Sequence, residues 1–159
     1  NDAKPKLIVS GSCGIEGKKT IPYKPLLDEA VRLADHKPEK CIIFQRSQLA
    51  ADLKAGRDFD WAELMKEAKP AGCTPVAATD PLYILYTSGT TGKPKGIVHT
   101  TGGYLVGAYA TTKWVFDLKE EDRWWCTADP GWVTGTSYGI ISPLTNGVTK
   151  WLVAIEVER

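Results

Sequence analysis

Between residues 86 and 96 the chain reads Tyr86-Thr87-Ser88-Gly89-Thr90-Thr91-Gly92-Lys93-Pro94-Lys95-Gly96, a run carrying three glycines, four Ser/Thr hydroxyls and two lysines. Glycines let a backbone turn tightly and approach a ligand without a Cβ in the way, hydroxyls donate hydrogen bonds, and ammonium groups donate charge-assisted ones. A polyphosphate uses all three. The common phosphate loop places four residues between its glycines and opens a helix after its lysine, whereas here two residues separate Gly89 from Gly92 and Pro94 follows Lys93. Proline has no N–H and biases the preceding residue away from αR. The loop is therefore expected to join the apolar run Leu82-Tyr83-Ile84-Leu85 to a second strand through Ile97-Val98. A solvated hairpin turn is the plain alternative for such a composition.

A second constellation is Asp129-Pro130-Gly131-Trp132-Val133-Thr134-Gly135, after the strand candidate Trp124 to Thr127. Loops at the carboxyl ends of strands are where α/β proteins hold ligands. Glycines allow close backbone approach, Trp132 can wall a small apolar pocket, and the Thr134 hydroxyl can bond a carboxylate or amide oxygen. A packing tryptophan in a turn is the alternative.

The first run, with Ile97-Val98-His99 after it, resembles the phosphate-binding signature of the AMP-forming acyl-activating enzymes: acyl-CoA synthetases, luciferases and peptide-synthetase adenylation domains. Thr100-Thr101-Gly102-Gly103-Tyr104-Leu105 and the stretch from Trp125 to Gly135 resemble the acetyl- and propionyl-CoA synthetase branch. The resemblance implies an acid–thiol ligase that activates acetate or propionate with ATP, as MgATP, to an acyl-adenylate and passes the acyl group to coenzyme A. It implies β/γ-phosphate cradling by Thr87, Ser88, Gly89, Thr90, Thr91 and Gly92, with Lys93 as the catalytic cation and Lys95 beside it. It also implies that Trp132, Val133 and Thr134 line the acyl pocket and the thiol end of the CoA channel. Enzymes of this family are several times longer, so a fragment of the N-terminal AMP-binding domain is expected, with the C-terminal domain absent and no turnover by the isolated chain. A truncated, non-catalytic nucleotide-binding or interaction module is the alternative function.

The turn Gly17-Lys18-Lys19 falls where acetyl-type relatives bind the CoA nucleotide, and Lys19 is the expected phosphate contact. Glu16 stands there in place of an arginine, and its charge opposes the 3′-phosphate. Thr136-Ser137-Tyr138 replaces a sequence that begins with histidine in acetyl-type members, and Glu158 stands near a CoA-contacting asparagine of relatives. These departures bear on the branch rather than on the chemistry. The bland reading of Lys18 and Lys19 is exposed turn lysines.

The elements expected to position these loops alternate. Lys6 to Val9, Cys41 to Phe44, Leu82 to Leu85 and Thr149 to Val157 read as strands, and residues 25–34, 60–68 and 103–116 as helices. Asp60 and Glu63 are placed as a capping box, and Gly11 to Gly17 reads as a loop. The pattern predicts an α/β fold with a largely parallel sheet and flanking helices. No repeat or linker divides the 159 residues, so a single unit is expected.

With 20 basic and 19 acidic residues the chain has no broad cationic field, and neither nucleic acid nor an anionic membrane is expected as a partner. The expected partners are small-molecule substrates and the missing remainder of a synthetase. The cysteines, Cys13, Cys41, Cys73 and Cys126, form no close pair and no histidine cluster, so no metal site is expected and Cys41 and Cys126 read as buried small hydrophobes. A cytoplasmic location fits, or the mitochondrial matrix in a eukaryotic cell. His36 and His99 read as structural.

Overall fold

The structure, a computed structural model, describes residues 1–87 and 92–151, with side chains through residue 148. Its internal contacts gather into two compact units, one of residues 1–72 and one beginning at residue 73.

In the first unit β1 (Leu7–Gly11), β4 (Lys40–Phe44) and β5 (Asp58–Asp60) form a parallel sheet in the order β1-β4-β5. Leu7 pairs with Lys40 and Gly11 with Phe44, and Cys41 of the central strand pairs with Asp58. Between β1 and β4 run β2 (Cys13–Glu16), β3 (Lys19–Pro22) and α1 (Tyr23–Leu33), with β2 and β3 forming an antiparallel hairpin. The expected loop from Gly11 to Gly17 is thus largely strand. Its glycines serve packing rather than looseness: a Cβ on Gly14 would strike the Tyr23 ring, while Gly17 turns the hairpin at φ 57°. Cys13, Cys41 and Ile43 are buried, as is Ser12, whose backbone N–H donates to the Phe44 carbonyl at 2.9 Å. Cys126 is only half-buried and Cys73 exposed, and burial pushes the Cys41 thiol's ionisation up. The helix α2 (Trp61–Glu67) begins on Asp60, whose carboxylate accepts from the Ala62 and Glu63 N–H groups; Glu63 pairs forward with Lys66 at 2.7 Å.

One feature of this unit has no local sequence signal. Lys24, on the first turn of α1, is buried with the side chain of Asp58, at 2.8 Å. Asp28, one turn on, takes the same ammonium at 2.6 Å and also pairs with Arg57, whose Nε lies 2.6 Å from Asp58. The Lys54 N–H adds a hydrogen bond to Asp58 at 2.9 Å. Burial alone would raise the Asp58 carboxyl's pKa, but the Arg57 and Lys24 hydrogen bonds overcome it and hold the group well below the usual carboxylate range.

In the second unit β6 (Pro81–Thr87) and β7 (Lys95–Thr100) are antiparallel, and α3 (Thr101–Trp114) follows β7 without a break. The strand β8 (Arg123–Trp125) pairs in parallel with β9 (Thr149–Trp151). Between them lie a π-helical segment, Gly135–Ile141, and the short α4 (Ser142–Thr145), neither of which the sequence pattern announces. The fold is α/β: parallel pairings dominate the first unit, and the antiparallel hairpin carries the phosphate-type loop.

Candidate functional site

The hairpin sets the ends of the phosphate-type loop. Thr87 pairs with Lys95 and Tyr86 with Gly96, so the intervening residues leave and return at adjacent points of the ladder. Ser88, Gly89, Thr90 and Thr91 lie outside the described residues. Gly92 has φ 77°, a left-handed value that disfavours any side chain, and Lys93 and Lys95 are exposed beyond it. Among the described residues no carboxylate is paired with either lysine. Two uncommitted ammonium groups beside a glycine turn can take an anionic ligand. Gly96 lies under Ile84 and Tyr86, 3.0 Å from each for an added Cβ, so the strand entrance is closely packed.

The second loop is built as a turn onto a helix. The Asp129 carboxylate accepts from the Gly131 N–H at 2.7 Å, and its carbonyl accepts from the Trp132 N–H at 2.9 Å. Val133 and Thr134 are already helical, and the chain runs on as the π-helix. Trp132 is 71% exposed, and Val133 and Thr134 are also exposed, so the three expected acyl- and thiol-contacting side chains face outward. Gly135 behind them is buried, and an added Cβ there would overlap the Asp129 carbonyl and the Pro130 Cα. Because those are backbone atoms, Gly135→Ala should displace the loop. The expected cost is about 1–3 kcal/mol of stability; an unchanged urea midpoint in the full-length protein would refute it.

Three successive residues pin the π-helix in different directions. The Thr136 hydroxyl donates to the Pro130 carbonyl at 2.8 Å, closing the loop on itself. Ser137 is buried, its hydroxyl 2.5 Å from that of Tyr104 on α3. The Tyr138 carbonyl accepts from the Trp124 indole at 2.5 Å, and its ring meets Phe116 edge-on at 5.3 Å. π-helical turns are rare and are frequently found at functional sites.

Tyr104 also joins the hairpin. Tyr83 of β6 stacks on His99 of β7 at 4.7 Å, and Tyr104 meets both rings edge-on, at 5.1 and 5.4 Å. The Tyr83 hydroxyl is buried without a hydrogen bond of good geometry; burial, and after it the neighbouring Tyr104 phenol, push its ionisation up to about 12. A cavity of about 420 Å³ opens beside this group, lined by His99, Thr100, Tyr104, Thr111, Ser137 and Tyr138 among others. Sequence reasoning assigns none of these residues to the site. Tyr83 and His99 could have been paired from the hairpin register, but Ser137 and Tyr104 lie 33 positions apart on different elements, and no local signal joins them.

Thr87, Gly92, Lys93, Lys95, Trp132, Val133 and Thr134 all belong to the second unit. Lys19 belongs to the first, exposed at the end of the β2–β3 turn and opposite Glu16 in the ladder. Among the described residues no group of three His, Cys, Asp or Glu side chains could hold a metal ion, and no helix is long and apolar enough to cross a membrane.

Residues 1–158 match the family model described as AMP-binding enzyme. The acetyl-coenzyme A synthetase of Pasteurella multocida is 50% identical over 151 residues, covering 94% of this chain and 23% of its own length. The mitochondrial acyl-CoA synthetase short-chain family member 3 of Rattus norvegicus is 47% identical over 150 residues, covering 94% and 22%. Among solved structures, acetoacetyl-CoA synthetase from Streptomyces lividans superposes with a TM-score of 0.73 at 26% identity, over 92% of this chain and 22% of that one. The chain spans less than a quarter of the length of these relatives.

Proposed function

Because the chain belongs to the family of AMP-binding enzymes, we propose that it is the phosphate- and acyl-binding part of an AMP-forming short-chain acyl-CoA synthetase acting on acetate or propionate. In the first step a carboxylate oxygen attacks the α-phosphorus of MgATP and pyrophosphate leaves. In the second the CoA thiol, losing its proton, attacks the acyl carbon and AMP leaves. The first barrier is electrostatic, since an anion approaches a polyanion, and fixed cations and donors around the phosphates lower it without a covalent nucleophile.

The observation that carries this reading is the mouth of the β6–β7 hairpin, where Thr87 and Lys95 stand in register and Gly92 turns the backbone at φ 77°. On this reading Thr87, Ser88, Gly89, Thr90, Thr91 and Gly92 cradle the β- and γ-phosphates, and Lys93 and Lys95 neutralise them. Mg²⁺ arrives with the nucleotide, as the counter-ion of its phosphates. Trp132, Val133 and Thr134 receive the acid and the thiol, and Lys19 receives a phosphate of CoA. The 159 residues form one part of the synthetase's N-terminal domain. The parent's remaining chain is expected to cover apolar side chains exposed here, such as Leu26, Leu33, Trp114 and Val115. Its expected location is the cytoplasm, or the mitochondrial matrix in a eukaryotic cell.

The test is ATP–pyrophosphate exchange by the full-length protein with acetate and propionate side by side, and with the 159-residue chain in parallel. Carboxylate-dependent exchange by the full-length protein and none by the isolated chain is the expected result. A full-length protein that exchanges with neither acid would overturn the proposal. One methylene is worth only about 1–3 kcal/mol of discrimination, so measurable exchange with both acids is expected, at different KM values.

A further inference from the structure

We propose that Tyr104 is a positioning residue, holding the Trp132–Thr134 loop in register with the phosphate hairpin through its hydrogen bond to Ser137. The inference rests on the synthetase reading above for what the two loops bind, but its geometry stands by itself. Tyr104 lies on the first turn of α3, directly after β7, and its ring is wedged edge-on against the stacked Tyr83 and His99 of the two hairpin strands. The helix end that carries it therefore moves with the hairpin. Its hydroxyl meets the buried Ser137 hydroxyl at 2.5 Å, three residues beyond Thr134.

Ser137 lies on the π-helix between two residues that are tied elsewhere: the Thr136 hydroxyl is fixed to the Pro130 carbonyl, and the Tyr138 carbonyl takes the Trp124 indole. The loop is thus fastened to its own base and to β8 by two ties, and to the phosphate hairpin by the third. Among the described residues the Tyr104–Ser137 pair is the side-chain hydrogen bond that links the π-helix to α3, beside the packing of α3 on the π-helix and α4, and so it relates the acid-binding side chains to the phosphates. A reaction that brings a carboxylate oxygen to an α-phosphorus depends on that relation, because effective molarity falls steeply with small misplacements.

Tyr104→Phe removes the hydroxyl and keeps the ring, so the packing on Tyr83 and His99 persists. In the full-length protein this variant and Ser137→Ala are each expected to lose amide-exchange protection over residues 132–138 and to keep it over residues 81–87. In pyrophosphate exchange each should raise the KM for the carboxylate, or lower kcat, by about five- to tenfold while the KM for ATP stays within about twofold. The double variant should be no worse than either single one, since both remove the same bond. Tyr109→Phe, on the exposed side of α3, is the control and should change neither readout. Unchanged protection in Tyr104→Phe, or lost protection with unchanged kinetics, would overturn the inference, as would an equal rise in the KM for ATP and acid. If the wild-type protein exchanges with neither acid, the synthetase reading falls, and amide exchange still decides whether Tyr104 holds the loop.

Discussion

Replacing Lys93 by alanine in the full-length protein is expected to slow carboxylate-dependent pyrophosphate exchange by about 10²–10³-fold, the typical cost of removing one hydrogen-bond donor from a developing anion. Two features single out this lysine. It follows Gly92, whose φ of 77° turns the chain just before it, and Pro94 after it disfavours a helical backbone at Lys93 itself. Its ammonium is exposed and, among the described residues, no carboxylate neutralises it. On the proposed reading the charge acts on phosphates and not on the acid, so kcat should fall while the KM for acetate or propionate changes by less than about threefold. Lys93→Arg keeps the charge but spreads it over a planar fork, and is expected to recover part of the rate. Exchange at the wild-type rate in Lys93→Ala would remove this residue from the catalytic step. Lys95 starts a strand, in register with Thr87, so its variant should be milder.

The second large effect lies away from the chemistry. Asp58→Ala should destabilise the first unit by about 3–5 kcal/mol, because it leaves Lys24 and Arg57 partly buried beside an empty position. Asp28 cannot compensate, as it already takes both cations from the more exposed side. The pH dependence follows from the depressed pKa of Asp58 in the folded chain. A carboxyl whose folded pKa lies below its unfolded one contributes its full stabilisation above about pH 4 and loses it as pH falls from there through the folded value. Wild type should therefore weaken on acidification more than Asp58→Ala, and the gap between them should narrow from pH 7 to pH 3. Amide-exchange protection of residues 40–44, the central strand, measures this in the full-length protein. A gap that stays constant with pH would show that the effect comes from lost packing and not from the charge.

Much of this was legible along the chain because the deciding information is local. Proline after Lys93 and the two-residue glycine spacing exclude a helix-opening phosphate loop, and the chain does continue from strand to strand. Asp60 begins its helix because a carboxylate at that position can bond the first free N–H groups, which needs no distant partner. The expected helix at 103–116 starts two residues earlier, at Thr101, since a glycine pair is a poor helix signal but tolerable once α3 is packed. The glycines of residues 11–17 misled for the opposite reason. They read as a loop, yet Gly14 is small so that Tyr23 can lie on a strand.

The sequence by itself determined the family, the α/β class and the chemical character of the two loops, since each follows from residue types at short, fixed spacings. The tertiary structure decided what holds those loops. The Tyr104–Ser137 hydroxyl pair and the burial of Lys24 against Asp58 join residues 33 and 34 positions apart, and no local pattern encodes such pairs. Their partners become neighbours only when helices and strands pack, and a buried hydroxyl or charge is stable only where packing supplies its partner.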